Sequence, residues 1–220
     1  MTKGPYNPLE KLNLARSIES AVLSSEAIPL GESEGVTGAG VYVIYYRGGF
    51  EPYRPMADAN AATWAAPIYV GKAIPKGGRK GGMTFGPTPG GGVIVARLRK
   101  HAESIKATAN LAIEDFACRH IALDDIWIPL GENILIERFR PLWNVAVEGF
   151  GINDPGRGRL NQKRSAWDVL HPGRSYAARL TGGAAQVEAI KGRVEDHFAG
   201  RALRQLPRSV ATGARQANEG

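Results

Sequence analysis

Two tyrosines in short apolar runs, an arginine and a histidine four residues apart, and one glutamate upstream of a Pro-x-x-Asn turn could carry chemistry in this chain. Tyr42 closes Gly40-Val41-Tyr42 and Tyr69 opens Tyr69-Val70-Gly71. A phenol can relay a proton, yet a tyrosine in a strand is more often simply a core residue. The pair is more informative, because neighbouring strands can set two phenols ~5 Å apart on one face. Arg97 and His101 stand at i and i+4 and so share a helix face. Glu132 aligns with Leu135, Ile136 and Phe139. A carboxylate on an apolar stripe is costly unless it is paired, hydrogen-bonded or metal-bound. Its place near a helix start also admits an exposed acid favoured by the helix dipole. Glu137 falls on the exposed side of the same helix.

These groups need a scaffold, and the hydrophobic pattern supplies one. Helical spacing runs from Pro8 to Ser25, with Leu9, Leu12, Leu14, Ile18 and Val22 as its apolar positions. A turn-rich stretch from Pro29 to Gly40 leads into a buried strand, Val41 to Tyr46, stopped by Gly48-Gly49. Residues 50–66 read as an irregular insertion, and Pro67 to Lys72 as a second strand. The Gly- and Pro-rich stretch 73–92 reads as a long functional loop carrying Lys76, Arg79 and Lys80. It is not a Walker phosphate loop, because the upstream glycine and following Ser/Thr are missing around Gly71-Lys72. A helix follows from Val93 to about Thr108, then a strand from Phe116 to Leu123. A further helix runs from Leu130 to Arg140 and stops at Pro141. The stretch 149–165 is Gly-rich and basic, with Arg157, Arg159, Lys163 and Arg164 against Asp154. Ala184 to Phe198 reads as an amphipathic helix, and the chain beyond Arg201 as a polar, frayed tail.

Bulk properties narrow the function classes. The 220 residues carry a formal charge of +7 and are 43% hydrophobic, which suits one folded domain with a polyanionic partner. No apolar run approaches the ~20 residues that span a bilayer. No secretory signal is expected at Met1 to Pro8, and a cytoplasmic protein is the simplest expectation. Cys118 is the single cysteine, so neither an internal disulfide nor a cysteine-built zinc site can form.

The two tyrosine triplets resemble the signature strands of the GIY-YIG nuclease superfamily, with Val in place of Ile at each centre. Arg97 and His101, and the spacing from Glu132 to Asn144 through Arg140-Pro141-Leu142-Trp143, extend the resemblance. Within the superfamily the chain is most similar to the restriction enzymes that cut the palindrome CCGCGG, over roughly residues 38–181. The segments Gly149-Phe150-Gly151, Trp167-Asp168-Val169 and His171-Pro172-Gly173-Arg174 carry that closer likeness. The resemblance implies an α/β (α+β) fold: a small, mainly antiparallel central sheet flanked by helices, with insertions and a C-terminal helical extension. It implies one endonuclease domain over 1–220, with the core at 38–148, a DNA-contacting and helical extension at 149–200 and a flexible tail at 201–220. The alternatives are a homing or repair nuclease on the same core, or a catalytically silent DNA-binding protein.

The family resemblance also assigns roles. Tyr42 matches the general base, Tyr69 a group on the scissile phosphate or its water, Arg97 the phosphate-clamping arginine and Glu132 the single ligand of a Mg²⁺ ion. A free phenol, with its pKa near ~10, needs help to act as a base at neutral pH. Lys72, by favouring phenolate, and His101, by accepting the phenol proton, are both candidates for that help. Asn144 either supports the phosphate or catalytic groups, or is a turn residue after Pro141. Lys76, Arg79, Lys80, Arg157, Arg159, Lys163, Arg164 and Arg174 are the candidate DNA contacts, since Arg and Lys suit guanine edges. His171 could support such contacts, whereas His120 and His197 read as structural. The implied partner is double-stranded DNA, met by a homodimer matching a two-fold site. A methyltransferase protecting the host's own sites is implied too, though not as a physical partner.

Overall fold

The computed structural model describes residues 10–75, 92–152, 163–181 and 186–206. Its centre is a four-stranded antiparallel sheet in the order β1-β4-β2-β3. The strands are β1 (Ile28–Pro29), β2 (Gly40–Tyr46), β3 (Pro67–Ala73) and β4 (Phe116–Ala122). Strand β2 is a run of β-branched and aromatic residues buried at every position, and it takes the central place between β3 and β4. The mainly antiparallel sheet with flanking helices is the expected α/β fold.

Alternation along β2 divides the core into two layers. Val41, Val43 and Tyr45, with Val70 of β3, face helices α1 (Lys11–Ser24) and α4 (Ile128–Phe139). Tyr42, Ile44 and Tyr46 face the other way. They meet α3 (Val93–Lys106), α5 (Leu142–Val145), α6 (Ala166–Leu170) and α7 (Val187–Phe198). Each aliphatic side chain removed from water in these layers contributes ~1.5–3 kcal/mol. Helix α3 buries Ile94, Leu98, Ala102 and Ile105, and His101 lies on that same buried stripe. Helix α4 ends on Arg140 in the left-handed region, φ 46°, because Pro141 disfavours helical geometry in the residue before it.

Three segments differ from expectation. Residues 50–66 are not irregular: a 3-10 turn at Glu51–Tyr53 leads into α2 (Arg54–Ala59). Pro52 and Pro55 sit in first-turn positions, where a missing N–H costs nothing. The fully buried Asn60 then ties the insertion down, donating to the carbonyls of Tyr46 and Ala66 and accepting from the N–H groups of Ala65 and Ala66. The turn-rich stretch before β2 contains β1 and a 3-10 segment, Leu30–Gly35. Past α7, Arg201 and Arg204 fold back as an ionic cap on Asp196, so the start of the tail is ordered. The expected loop contacts Lys76, Arg79 and Lys80, and Arg157 and Arg159, lie outside the described residues. No helix among the described residues is long and apolar enough to cross a membrane.

Candidate active site

The two signature strands are neighbours, but their tyrosines are not opposite one another. Tyr42 pairs with Gly71, and Tyr69 pairs with Ile44. Gly71 is therefore the residue over which the Tyr42 ring lies, and a Cβ there would collide with the Tyr42 phenol. The bare glycine lets the ring lean toward the sheet edge, 6.4 Å from the Tyr69 ring centroid.

Helix α3 crosses this face and delivers His101. The Tyr42 hydroxyl and His101 Nε2 are 2.7 Å apart, both residues being buried. Burial first, then Arg97 and Arg174, lowers the His101 imidazole to about 3. It is therefore neutral, and the tautomer protonated at Nδ1 leaves Nε2 free to accept from the Tyr42 hydroxyl. Burial also raises the Tyr42 phenol well above its usual value, with Tyr69 and Glu132 adding to the rise and Arg97 opposing it. The ground state is thus a neutral phenol hydrogen-bonded to a neutral imidazole. Tyr69 lies edge-on to His101 at 5.2 Å, and burial with help from Glu132 pushes its phenol up to about 12.

Arg97 lies one turn before His101, half-buried, and among the described residues no hydrogen bond or ion pair engages its guanidinium. A cation held near two phenols and an imidazole is suited to an arriving phosphate.

The acid comes from the other layer. Alternation puts Lys72 on the opposite face of β3 from Tyr69 and Gly71, under α4. Its ammonium is 2.6 Å from Glu132, whose side chain is 16% exposed. Lys72 therefore engages the carboxylate, and His101 engages Tyr42. Among the described residues no three acidic, histidine or cysteine side chains gather as a metal cage. A lone carboxylate fits a hard cation that keeps most of its water shell, as Mg²⁺ does.

Asn144 works on the backbone of β3. Its Oδ1 accepts from the Val70 N–H at 2.8 Å and its Nδ2 donates to the Val70 carbonyl at 2.9 Å. One amide thus satisfies both outward groups of a buried residue in the outermost strand, between Tyr69 and Gly71. Lys163 is exposed and bridges Thr181, while Arg164 is half-buried with Nε donating to the Ala177 carbonyl. Arg174 does not face a groove. It is 6% exposed and paired at 2.7 Å with Asp168, so the DNA contact expected of it gives way to an internal role. The same holds for His171, which is fully buried between the Tyr53 hydroxyl, 2.6 Å from Nε2, and Asn110 Oδ1.

Sequence reasoning singled out Gly149-Phe150-Gly151 for its likeness but gave it no part in the site. Phe150 stacks on the His101 ring at 4.5 Å and 21°, and a Cβ on Gly151 would collide with the Tyr69 hydroxyl. A phenylalanine between two glycines was the available signal, but nothing local says which ring it will cover.

A family profile described as the Eco29kI GIY-YIG domain matches residues 34–198. No curated protein matches the chain. The matched span contains both signature strands, α3 and its Arg97/His101 pair, Glu132, Asn144 and the segment that covers His101. The chain therefore belongs to the Eco29kI-type GIY-YIG restriction endonuclease family, whose substrate is DNA.

Proposed function

We propose that this chain hydrolyses double-stranded DNA at the palindrome CCGCGG with Mg²⁺, using Tyr42 as the base that takes a proton from water. The observation that carries the reading is the buried 2.7 Å contact between the Tyr42 hydroxyl and His101 Nε2, beside Arg97, which no hydrogen bond or ion pair among the described residues engages. A phenol raised this far cannot rest as phenolate. It can act as a relay: the water proton passes to Tyr42 Oη while the Tyr42 proton passes to His101 Nε2. The hydroxide formed attacks phosphorus, the bond from phosphorus to the 3′ oxygen breaks, and that oxygen is protonated from solvent.

The low basicity of His101 bears on this relay. After burial, Arg97 is the main cause holding the imidazole down. A phosphate seated on Arg97 offsets that positive field and makes His101 a better acceptor when substrate is present. Tyr69 orders the phosphate or the water from the same face. Glu132 would hold Mg²⁺, which when bound supplies positive charge to the phosphoryl oxygens and the leaving group. Lys72 holds the Glu132 carboxylate in place. Asn144 serves by fixing β3.

DNA contacts beyond the site come from Lys163 and, on the exposed face of α3, from Arg99, Lys100 and Lys106. A two-fold site is most simply cut by two copies, one per strand. The test is to incubate the protein with plasmid and Mg²⁺, map the ends, and repeat with Glu132→Ala. Discrete fragments ending within CCGCGG, missing for the variant, support the reading. Intact plasmid or ends without sequence preference contradict it.

A further inference from the structure

We infer that Arg174, held by Asp168, is a positioning residue for the Tyr42–His101 pair: it grips the Gly149–Ile152 segment and so seats Phe150 on the His101 ring. The inference rests on the reading of Tyr42–His101 as the reacting pair, and it gives Arg174 a part that binding DNA would not explain.

The grip uses the whole guanidinium fork. Nε donates to Asp168 Oδ1 at 2.7 Å. Nη1 donates to the Phe150 carbonyl at 3.0 Å and reaches the Ile152 carbonyl at 3.4 Å, and Nη2 donates to the Gly149 carbonyl at 2.9 Å. The cation also lies over the Trp167 and Tyr176 rings, at 4.5 and 5.0 Å. Asp168 is fixed in turn. The Ser165 hydroxyl donates to its Oδ2 at 2.7 Å, and the Asp168 N–H donates back to that hydroxyl oxygen at 3.1 Å. The segment must run tight against Ser165: Gly149 has φ 116°, and a Cβ there would strike the Ser165 side chain.

On its other side the segment packs on Trp143, 4.4 Å from the Phe150 ring, and reaches the site. Phe150 stacks on His101 and meets Tyr69 edge-on at 5.0 Å, and Gly151 fits under the Tyr69 hydroxyl. A buried ion pair is a weak device for stability, because desolvation offsets much of its attraction. Its effect here is geometric: three consecutive-region carbonyls are held to one rigid plane, and the ring that shields His101 is held with them.

Among the described residues, the charged and titratable groups facing His101 are Tyr42 from β2, Tyr69 from β3, Arg97 from its own helix and Arg174 from the chain after α6. Burial is the largest cause of the depressed imidazole. Arg174→Lys keeps the positive charge and a partner for Asp168, but an ammonium with one of its three N–H groups on Asp168 cannot also hold three carbonyls. The loosened segment admits water to His101, and the imidazole moves up toward its ordinary value. A protonated imidazole cannot take the Tyr42 proton, so the acid limb of cleavage moves to higher pH.

Two measurements test this on the full chain. One is the pH profile of single-turnover cleavage of a CCGCGG duplex with Mg²⁺, for wild type, Arg174→Lys and Phe150→Leu. The other is NMR titration of the His101 ring in the same three proteins without DNA. Both variants should move the acid limb and the ring titration upward by at least one pH unit. Adding Arg174→Lys to Phe150→Leu should cost little more than either alone. Unmoved profiles and titrations overturn the inference and leave Arg174 a stabilising residue only. If Arg174→Lys does not fold, Phe150→Leu must still show both shifts, and their absence overturns it equally. If wild type does not cut the duplex, the functional reading fails, and the ring titration alone decides the positioning role.

Discussion

Replacing Asn144 tests how the site is framed, and its cost can be worked from the structure. The side chain satisfies the N–H and carbonyl of Val70, a buried residue of β3, which is the outer strand on this side of the sheet. Asn144→Ala leaves both groups without a partner. A buried unsatisfied polar group costs ~1–3 kcal/mol, and water entering at the sheet edge recovers part of that, so the total is about 2–4 kcal/mol. For a chain of this length that corresponds to a melting temperature lowered by roughly 5–15 °C. Asn144→Asp is sharper. It keeps the acceptor for the Val70 N–H but turns a second oxygen toward the Val70 carbonyl, which disfavours the charged carboxylate in the folded state. The folded pKa is then above the unfolded one, so the variant is most stable below the unfolded carboxylate value and loses stability as pH rises through the folded one. Thermal melts at several pH values, paired with cleavage rates, give the answer. Wild-type melting in both variants together with lost cleavage would refute the framing argument and make Asn144 a direct contact of the substrate.

Other consequences follow from the same contacts. Gly71→Ala should cut cleavage by at least ~100-fold, because the added methyl displaces the Tyr42 phenol from His101 and a misplacement of ~1 Å carries a cost of that order; near-wild-type rates would mean that the contact is dispensable. Tyr53→Phe strips a partner from both His171 Nε2 and the Trp143 indole, which donates to the Tyr53 oxygen at 3.0 Å. It should lower stability by roughly 2–4 kcal/mol in urea unfolding. His101 and His171 are each held near 3, below the ordinary histidine value, so the unfolded chain binds more protons as pH falls below that ordinary value. Stability should therefore drop on acidification, by at most ~2.7 kcal/mol per pH unit from the two together. A urea midpoint that stays level from neutral pH to about pH 4.5 would contradict that.

How much of this was legible beforehand depended on the range of the interactions. The runs around Tyr42 and Tyr69 announce strands because β-branched and aromatic residues fill them, and Arg97 and His101 announce a shared face because four residues make about one helical turn. Glu132 was singled out by the cost of a carboxylate on an apolar stripe, and it does have a partner in Lys72. What could not be read was pairing across layers. Nothing in the sequence says that Tyr42 meets Gly71 rather than Tyr69, or that the Asn144 amide closes the edge of β3. Arg174 shows the same limit most clearly. In a basic chain an arginine near the C-terminal extension suggests DNA, and only the fold reveals that Asp168 and three carbonyls enclose it.

The Tyr42–His101 contact is the centre of the account, and Tyr42→Phe addresses it directly. The change removes one hydroxyl from a packed ring and leaves Arg97, Glu132 and the basic surface in place. Single-turnover cleavage of a CCGCGG duplex, measured beside binding of the same duplex, should show cutting lost by at least ~1000-fold with affinity within a few-fold of wild type, as for removal of a positioned base. Cutting retained at a rate near wild type would show that another group takes the proton from water.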